Sequence, residues 1–350
     1  MNHTAVFYAL ASAALFGLST PAAKHLLALV DPVMLAGLLY CGAGIGVSIL
    51  RRLVPTVRSP ASKEVSLGRK DLPLLAGAIA AGGIAGPILL MAGLARTEAT
   101  TASLFLTLEG ASTALLAWFV FHENFDRRIA VGMACLVAGA AILAWSGTPT
   151  MADAVGPLLI VGACVMWGLD NNLTRKVSLS DPLQIVEIKG FVAGPINLTL
   201  GIWAGASLPA LSASLIGMGV GFVGYGLSLV LFVTALRHLG TARTSAYFAT
   251  APFLGAVAAI VALGEPVTIQ LLAAGAFMAT GVWLHLTERH EHEHLHEPMS
   301  HSHPHVHDIH HRHTHRHSEP PGEPHTHPHE HEPIEHSHPH VPDMHHVHRH

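Results

Sequence analysis

The chain has 350 residues, half of them hydrophobic and only 12% charged, with a mean hydropathy of +0.44 and a formal net charge of −4. That balance excludes a basic nucleic-acid-binding surface and points to a membrane protein. The three cysteines, Cys41, Cys135 and Cys164, lie inside apolar runs without framework spacing, so they read as small packing residues and not as disulfides.

The amino terminus, MNHTAVFYALASAALFGLSTPAAKHLL, has no Lys or Arg ahead of its apolar stretch, which argues for a first spanning helix against a cleaved signal. Ten apolar segments follow one another, at 4–27, 32–50, 72–95, 99–121, 129–145, 155–173, 182–204, 215–236, 244–263 and 267–286. Each is long enough, or nearly so, for a helix crossing a ~30 Å hydrocarbon core. Connections are short except for 51–71, so no soluble domain is hidden between spans.

The fourth segment, ATTASLFLTLEGASTALLAWFVFHE, organises the chain. It carries Glu109 near its midpoint. Shifted by 142 positions it lies without a gap on TARTSAYFATAPFLGAVAAIVALGE, so that Ser103 meets Ser245, Glu123 meets Glu265 and, one helix on, Gly139 meets Gly281. This is an internal duplication with five spans per copy. An odd number of spans makes the second copy enter from the opposite side, which gives an inverted repeat of the kind common in secondary transporters.

Orientation follows from Lys and Arg. With a cytoplasmic amino terminus, the inner loops hold Arg51, Arg52, Arg58, Lys63, Arg69, Lys70, Arg127, Arg128, Arg175, Lys176, Arg237 and Arg243, and only Lys24 and Arg96 lie outside. Both termini are then cytoplasmic, and the inner membrane of a bacterium is the expected location.

The motif FGLSTPAAKHLL followed by DP in the first span, its echo WGLDNNLTRKV followed by DP around the sixth, and the helix-ending Glu123 and Glu265 resemble the drug/metabolite transporter superfamily. The chain is most similar there to EamA-type proteins, over roughly 6–286. The resemblance implies an all-α membrane protein of ten transmembrane helices, with one EamA-like five-helix repeat at 1–146 and a second at 155–287, and transport of small organic solutes, often outward. Pro252 matches a proline frequent in that family, whereas its repeat partner is Gly110, preceded by Glu109. A purely neutral central cavity is therefore not what this chain offers.

An ionisable group at mid-bilayer is costly and normally faces a cavity or a partner. Glu109 reads as a proton-coupling or cation-binding carboxylate, since loss of water disfavours its charged form; a neutral, hydrogen-bonded structural glutamate is the alternative. Asp170, Asn171 and Asn172 either line a cavity entrance or cap the end of the sixth helix. Lys189 and Glu187 are two positions apart, on different helical faces, and Lys189 is expected to snorkel to the cytoplasmic interface. Tyr225 and Tyr247 are candidates for the cavity wall, with packing as the other reading. Lys24 and Arg175 hold matching places in the repeats, and surface anchoring suits both better than anion binding. Glu123 and Glu265 fit structural hydrogen bonding to a neighbouring loop as well as any functional role.

The last segment, 288–350, is a different material. It holds 24 of the 29 histidines, interspersed with prolines and acids, and has little apolar surface to bury, so disorder is the expectation. Neutral imidazoles at H-x-H spacing are ligands for zinc, nickel, cobalt or copper ions. The candidate ligands are His292, His294, His296, His301, His303, His305, His307, His310, His311, His313, His315 and His317. A pH-sensitive tail is the other reading.

No nucleophile-and-base arrangement, phosphate-cradling loop or catalytic metal motif is present, so an enzyme is not expected and no cofactor is required. Three functions remain: a proton-coupled exporter of a small organic metabolite with the tail as an accessory, a divalent-metal transporter whose tail collects or senses the ion, and a non-transporting scaffold, against which the inverted repeat argues. The expected partners are a small-molecule solute, the lipid bilayer and divalent metal ions at the tail, with no nucleic acid; a homodimer is compatible with the chain.

Overall fold

The computed structural model describes residues 3–53, 72–120, 127–145, 151–177, 182–239, 244, 247–286 and, in the tail, 290–295, 300–305, 325–330 and 335–340. Ahead of the tail the described elements are helical. They are α1 (His3–Leu26), α2 (Pro32–Leu53), α3 (Leu72–Leu94), α4 (Ala99–Phe119), α5 (Arg127–Ala144), α6 (Met151–Val177), α7 (Pro182–Trp203), α8 (211–239), α9 (Ala251–Leu263) and α10 (Ile269–Leu286). Eight are long and apolar enough to cross a membrane; the described parts of α9 and α10 are shorter apolar helices that complete the expected set of ten. Large apolar side chains such as Phe7, Trp203, Val261, Ile269 and Trp283 lie on the outside of the bundle. In water such a surface would aggregate, whereas in a bilayer it faces acyl chains.

Helix ends follow local chemistry. Asp31 begins α2 by accepting the Val33 and Met34 N–H groups on its Oδ1 (2.9 and 3.4 Å), and Pro32 occupies the first helical turn, where a missing N–H costs nothing. Gly264, at φ 68°, closes α9 in the left-handed conformation, its N–H reaching Ile260 O at 3.1 Å.

Packing repeats the internal symmetry of the sequence. α2 packs on α7 and α5 on α10, each pairing a helix with its own repeat equivalent. α1 packs on α8 and α9, and α6 packs on their equivalents, α3 and α4. At the α5–α10 contact, Gly139 lies against Ala274 and Met278, while Gly281 lies against Gly132 and Leu136. All three equivalent pairs are 142 positions apart, so one contact is built twice. Small residues carry these seams because a side chain there would hold the backbones apart. Gly44 and Gly190 meet backbone to backbone in the centre of α2–α7.

Two irregularities also recur. α3 widens into a π-helical stretch at Ile79–Ala85 and α8 into another at Phe222–Leu227. Each holds a glycine, Gly82 and Gly224, against the equivalent place on α6 and α1: the Asp170 carboxylate and Ser19 respectively. α4 breaks at Leu106–Thr107, where Leu106 and Thr107 N–H groups turn to carbonyls three residues back, and a turn at Ala249–Thr250 precedes α9. Only the second break has a proline beside it, Pro252.

Four short segments of the tail are described as strands. β1 (His290–Leu295) pairs antiparallel with β4 (Glu335–His340), and β2 (Ser300–His305) with β3 (His325–Glu330). Prolines are tolerated because every strand of a two-stranded ribbon has a free edge. The register sets His292 opposite His338, His294 opposite His336, His301 opposite His329, His303 opposite His327 and His305 opposite His325. The other candidate ligands, His296, His307, His310, His311, His313, His315 and His317, lie outside the described residues.

Candidate functional site

A cavity of about 470 Å³ opens between α1, α2, α4, α6, α7 and α8, walled by Phe16, Tyr40, Glu109, Trp167, Asn171, Lys189, Tyr225, Ser228, Phe232 and Phe248 among others. It occupies the half of the bundle toward which α2, α6 and α8 end. The opposite half is filled by apolar packing of Leu26, Met34, Leu35, Leu90, Leu94 and Ala99. The cavity is therefore closed on one side of the membrane by a core.

Glu109 reaches this space because α4 is broken just before it. The break places Glu109 in the first turn of the second half-helix, Leu108–Phe119, with its own N–H donating to Leu106 O at 3.1 Å. Its Oε1 accepts Asn171 Nδ2 at 3.0 Å, and among the described residues no cation pairs with it. The same Asn171 amide reaches Thr113 Oγ1 at 3.2 Å, and Thr113 donates to the Glu109 carbonyl at 2.8 Å. Asn172 does not line the cavity; it ties α6 to α4 through Thr113 O (3.0 Å) and its own helix through Gly168 O (2.8 Å).

Lys189 does not snorkel. Its ammonium turns to α6 and binds Asp170 Oδ1 and Oδ2 at 2.6 and 2.8 Å and Thr174 Oγ1 at 3.3 Å. A carboxylate across the helix interface at this depth holds the ammonium more strongly than the distant interface would. Thr174 donates in turn to Asp170 Oδ1 at 2.8 Å, so both charges are saturated, with side-chain exposures of only 14 and 11%. Glu187 pairs instead with Arg51 at 3.1 Å, in keeping with its different helical face.

The π-helical stretch of α3 explains the remaining polar contacts. Widening the helix frees carbonyls from the ladder, and these need donors inside the bundle. Gly82 O accepts Tyr40 Oη (2.6 Å) and Trp167 Nε1 (3.0 Å), and Gly83 O accepts Asn197 Nδ2 (3.0 Å). Both aromatic polar edges are thus occupied, and their ring faces remain for the cavity.

Tyr225 lines the cavity, stacked near Phe16 and Tyr40 with centroids 5.7 and 5.9 Å apart. Tyr247 is not among the lining residues. The next residue, Phe248, takes that place, 5.4 Å from Phe16 and 5.0 Å from Phe232. Sequence reasoning missed Phe16, Tyr40, Ser228, Phe232 and Phe248; the repeat was the available signal for Phe16, since it stands at the place of Trp167.

Lys24 is a helix-end group. Its ammonium donates to Leu94 O (2.7 Å) and Thr97 O (2.8 Å), closing the carboxyl end of α3. Glu265 closes the start of α4, its two oxygens accepting Ala99 N–H (2.7 Å) and Thr100 N–H (2.6 Å). Glu123 and the Arg175 side chain lie outside the described residues.

The EamA-like transporter family matches this sequence twice, at residues 3–145 and 154–287. The chain belongs to the EamA-like transporter family. It is a multi-pass integral membrane protein and a transporter. An uncharacterized transporter of Methanothermobacter thermautotrophicus is 28% identical over 284 residues, covering 77% of this chain and 82% of its own length. The threonine/homoserine exporter RhtA of Escherichia coli K12 is 30% identical over 141 residues, 40% of this chain and 48% of RhtA. A solved crystal structure superposes over 81% of this EamA-like chain and 97% of its own, with a TM-score of 0.57 and 18% identity, a likeness of fold alone.

Proposed function

We propose that this EamA-like protein exports a small organic metabolite in exchange for protons, with Glu109 as the coupling carboxylate. The observation that carries this reading is an imbalance around one cavity: Lys189 in its wall neutralises Asp170, while Glu109, among the described residues, has only an amide partner. A carboxylate in low dielectric without a cation is a group that proton or solute can occupy in turn. The paired glycine seams and π-helical stretches leave the two repeats free to rock around this site. Outward direction is supported by RhtA, which is named as an exporter. The cytoplasmic placement of both termini rests on the distribution of Lys and Arg.

The tail is an accessory that binds zinc, nickel, cobalt or copper, supported by the registered histidine pairs of its two ribbons. Metal as cargo would call for three or more His, Cys, Asp or Glu side chains together, a grouping not found among the described residues.

The test is a metabolite screen in cells overproducing the full chain, the Glu109→Gln variant, or a chain ending after Arg289. Export of an organic solute should be lost in Glu109→Gln at unchanged membrane abundance and should survive the truncation. A metal phenotype that disappears with the tail, with no organic solute affected, would reverse the assignment.

A further inference from the structure

The charge and donor inventory of the cavity narrows the class of solute, resting on the reading that this cavity is the transport site. A zwitterionic amino acid needs a carboxylate at one end of its site and a donor cluster at the other. Lys189 is the cation in the wall, and its charge is already taken by the Asp170 carboxylate, with both Oδ atoms and Thr174 Oγ1 around the ammonium. The remaining donors are spent as well. Asn171 Nδ2 serves Glu109 and Thr113, Tyr40 and Trp167 serve Gly82 O, and Ser228 Oγ donates to Ser12 O at 3.0 Å. The Tyr225 hydroxyl alone does not neutralise an anion.

Acceptors are in the opposite condition. Glu109 presents a carboxylate whose second oxygen has no partner among the described residues, in the wall of the same cavity as a connected set of aromatic rings, Phe16, Tyr225, Phe248 and Phe232. Carboxylate plus ring faces is the chemistry that holds an organic cation, through charge at one point and quadrupole attraction around it. We infer that the solute is a monocationic amine or amidine without a carboxylate, its charged head at Glu109 and its apolar body against the rings.

The test uses three small molecules that share a phenyl ring and differ in charge: phenethylamine (cation), phenylalanine (zwitterion) and 3-phenylpropionate (anion). The full-length protein, purified in detergent at pH 7.5, is melted in the presence of each at millimolar concentration. Phenethylamine should raise the melting temperature by several degrees, by preferential binding to the folded state, and the other two should not. The shift should be absent in Glu109→Gln, which keeps the shape and the Asn171 contact. Equal stabilisation by phenylalanine, a phenethylamine shift that persists in Glu109→Gln, or no shift with any of the three overturns the inference. The comparison on the unmutated protein stands even if the variant folds poorly. Failure of proton coupling is seen separately: amine-selective binding with pH-independent transport would remove the coupling role and leave the cation assignment in place.

Discussion

Lys189→Met should destabilise the protein by about 3–4 kcal/mol at pH 7, because it leaves Asp170 in the α3–α6–α7 interface with its charge uncompensated. Breaking a buried pair by removing one partner typically costs roughly 3–5 kcal/mol. Thr174 remains as one donor to the carboxylate and places the loss in the lower part of that range. Asp170→Asn leaves the ammonium without its carboxylate and should cost a similar amount. The double variant, Asp170→Asn with Lys189→Met, has no buried charge and should recover most of the loss. The assay is the apparent melting temperature of detergent-purified protein, where the single change at pH 7 should lower it by roughly 10 °C. A single variant as stable as the parent, or a double variant no better than either single, would refute the view that this pair is a saturated ion pair tying α6 to α7.

Gly82→Ala should cost about 1–3 kcal/mol, since its new methyl would fall on the Asp170 carboxylate, while Gly110→Ala, with open space around it, should be neutral or slightly stabilising; both are read by the same melting assay. Glu265→Ala removes the acceptor of two N–H groups at the start of α4 and should cost about 1–2 kcal/mol, with Glu265→Gln losing less because it keeps one acceptor oxygen. Gly139→Leu and Gly281→Leu should damage the protein to a similar extent, because they sit at equivalent places of one duplicated contact; abundance in the membrane measures it. A reporter fused after His350 should be active on the cytoplasmic side, and activity from outside would contradict the orientation taken from Lys and Arg.

The number of spans, their order and their duplication were legible in the chain alone, because a bilayer imposes a length and a composition on each helix before any helix meets another. Gly139 and Gly281 could be paired by their shared offset, and Glu109 stood out because a carboxylate at mid-span is expensive wherever it points. What a charge meets across an interface is a different kind of fact. Lys189 and Asp170 are 19 positions apart in two helices, and the packing of both α7 and α6 on the π-widened α3 brings ammonium, carboxylate and Thr174 together. The same holds for the cavity wall. Tyr247 and Phe248 are adjacent, and apolar periodicity does not encode that Phe248 is the one lining the cavity. The sequence by itself determined that this is a ten-helix membrane protein built twice; the tertiary structure decided that, among the described residues, one of its two central carboxylates meets an ammonium and the other only an amide, because pairing depends on distances of a few ångströms between helices far apart in the chain.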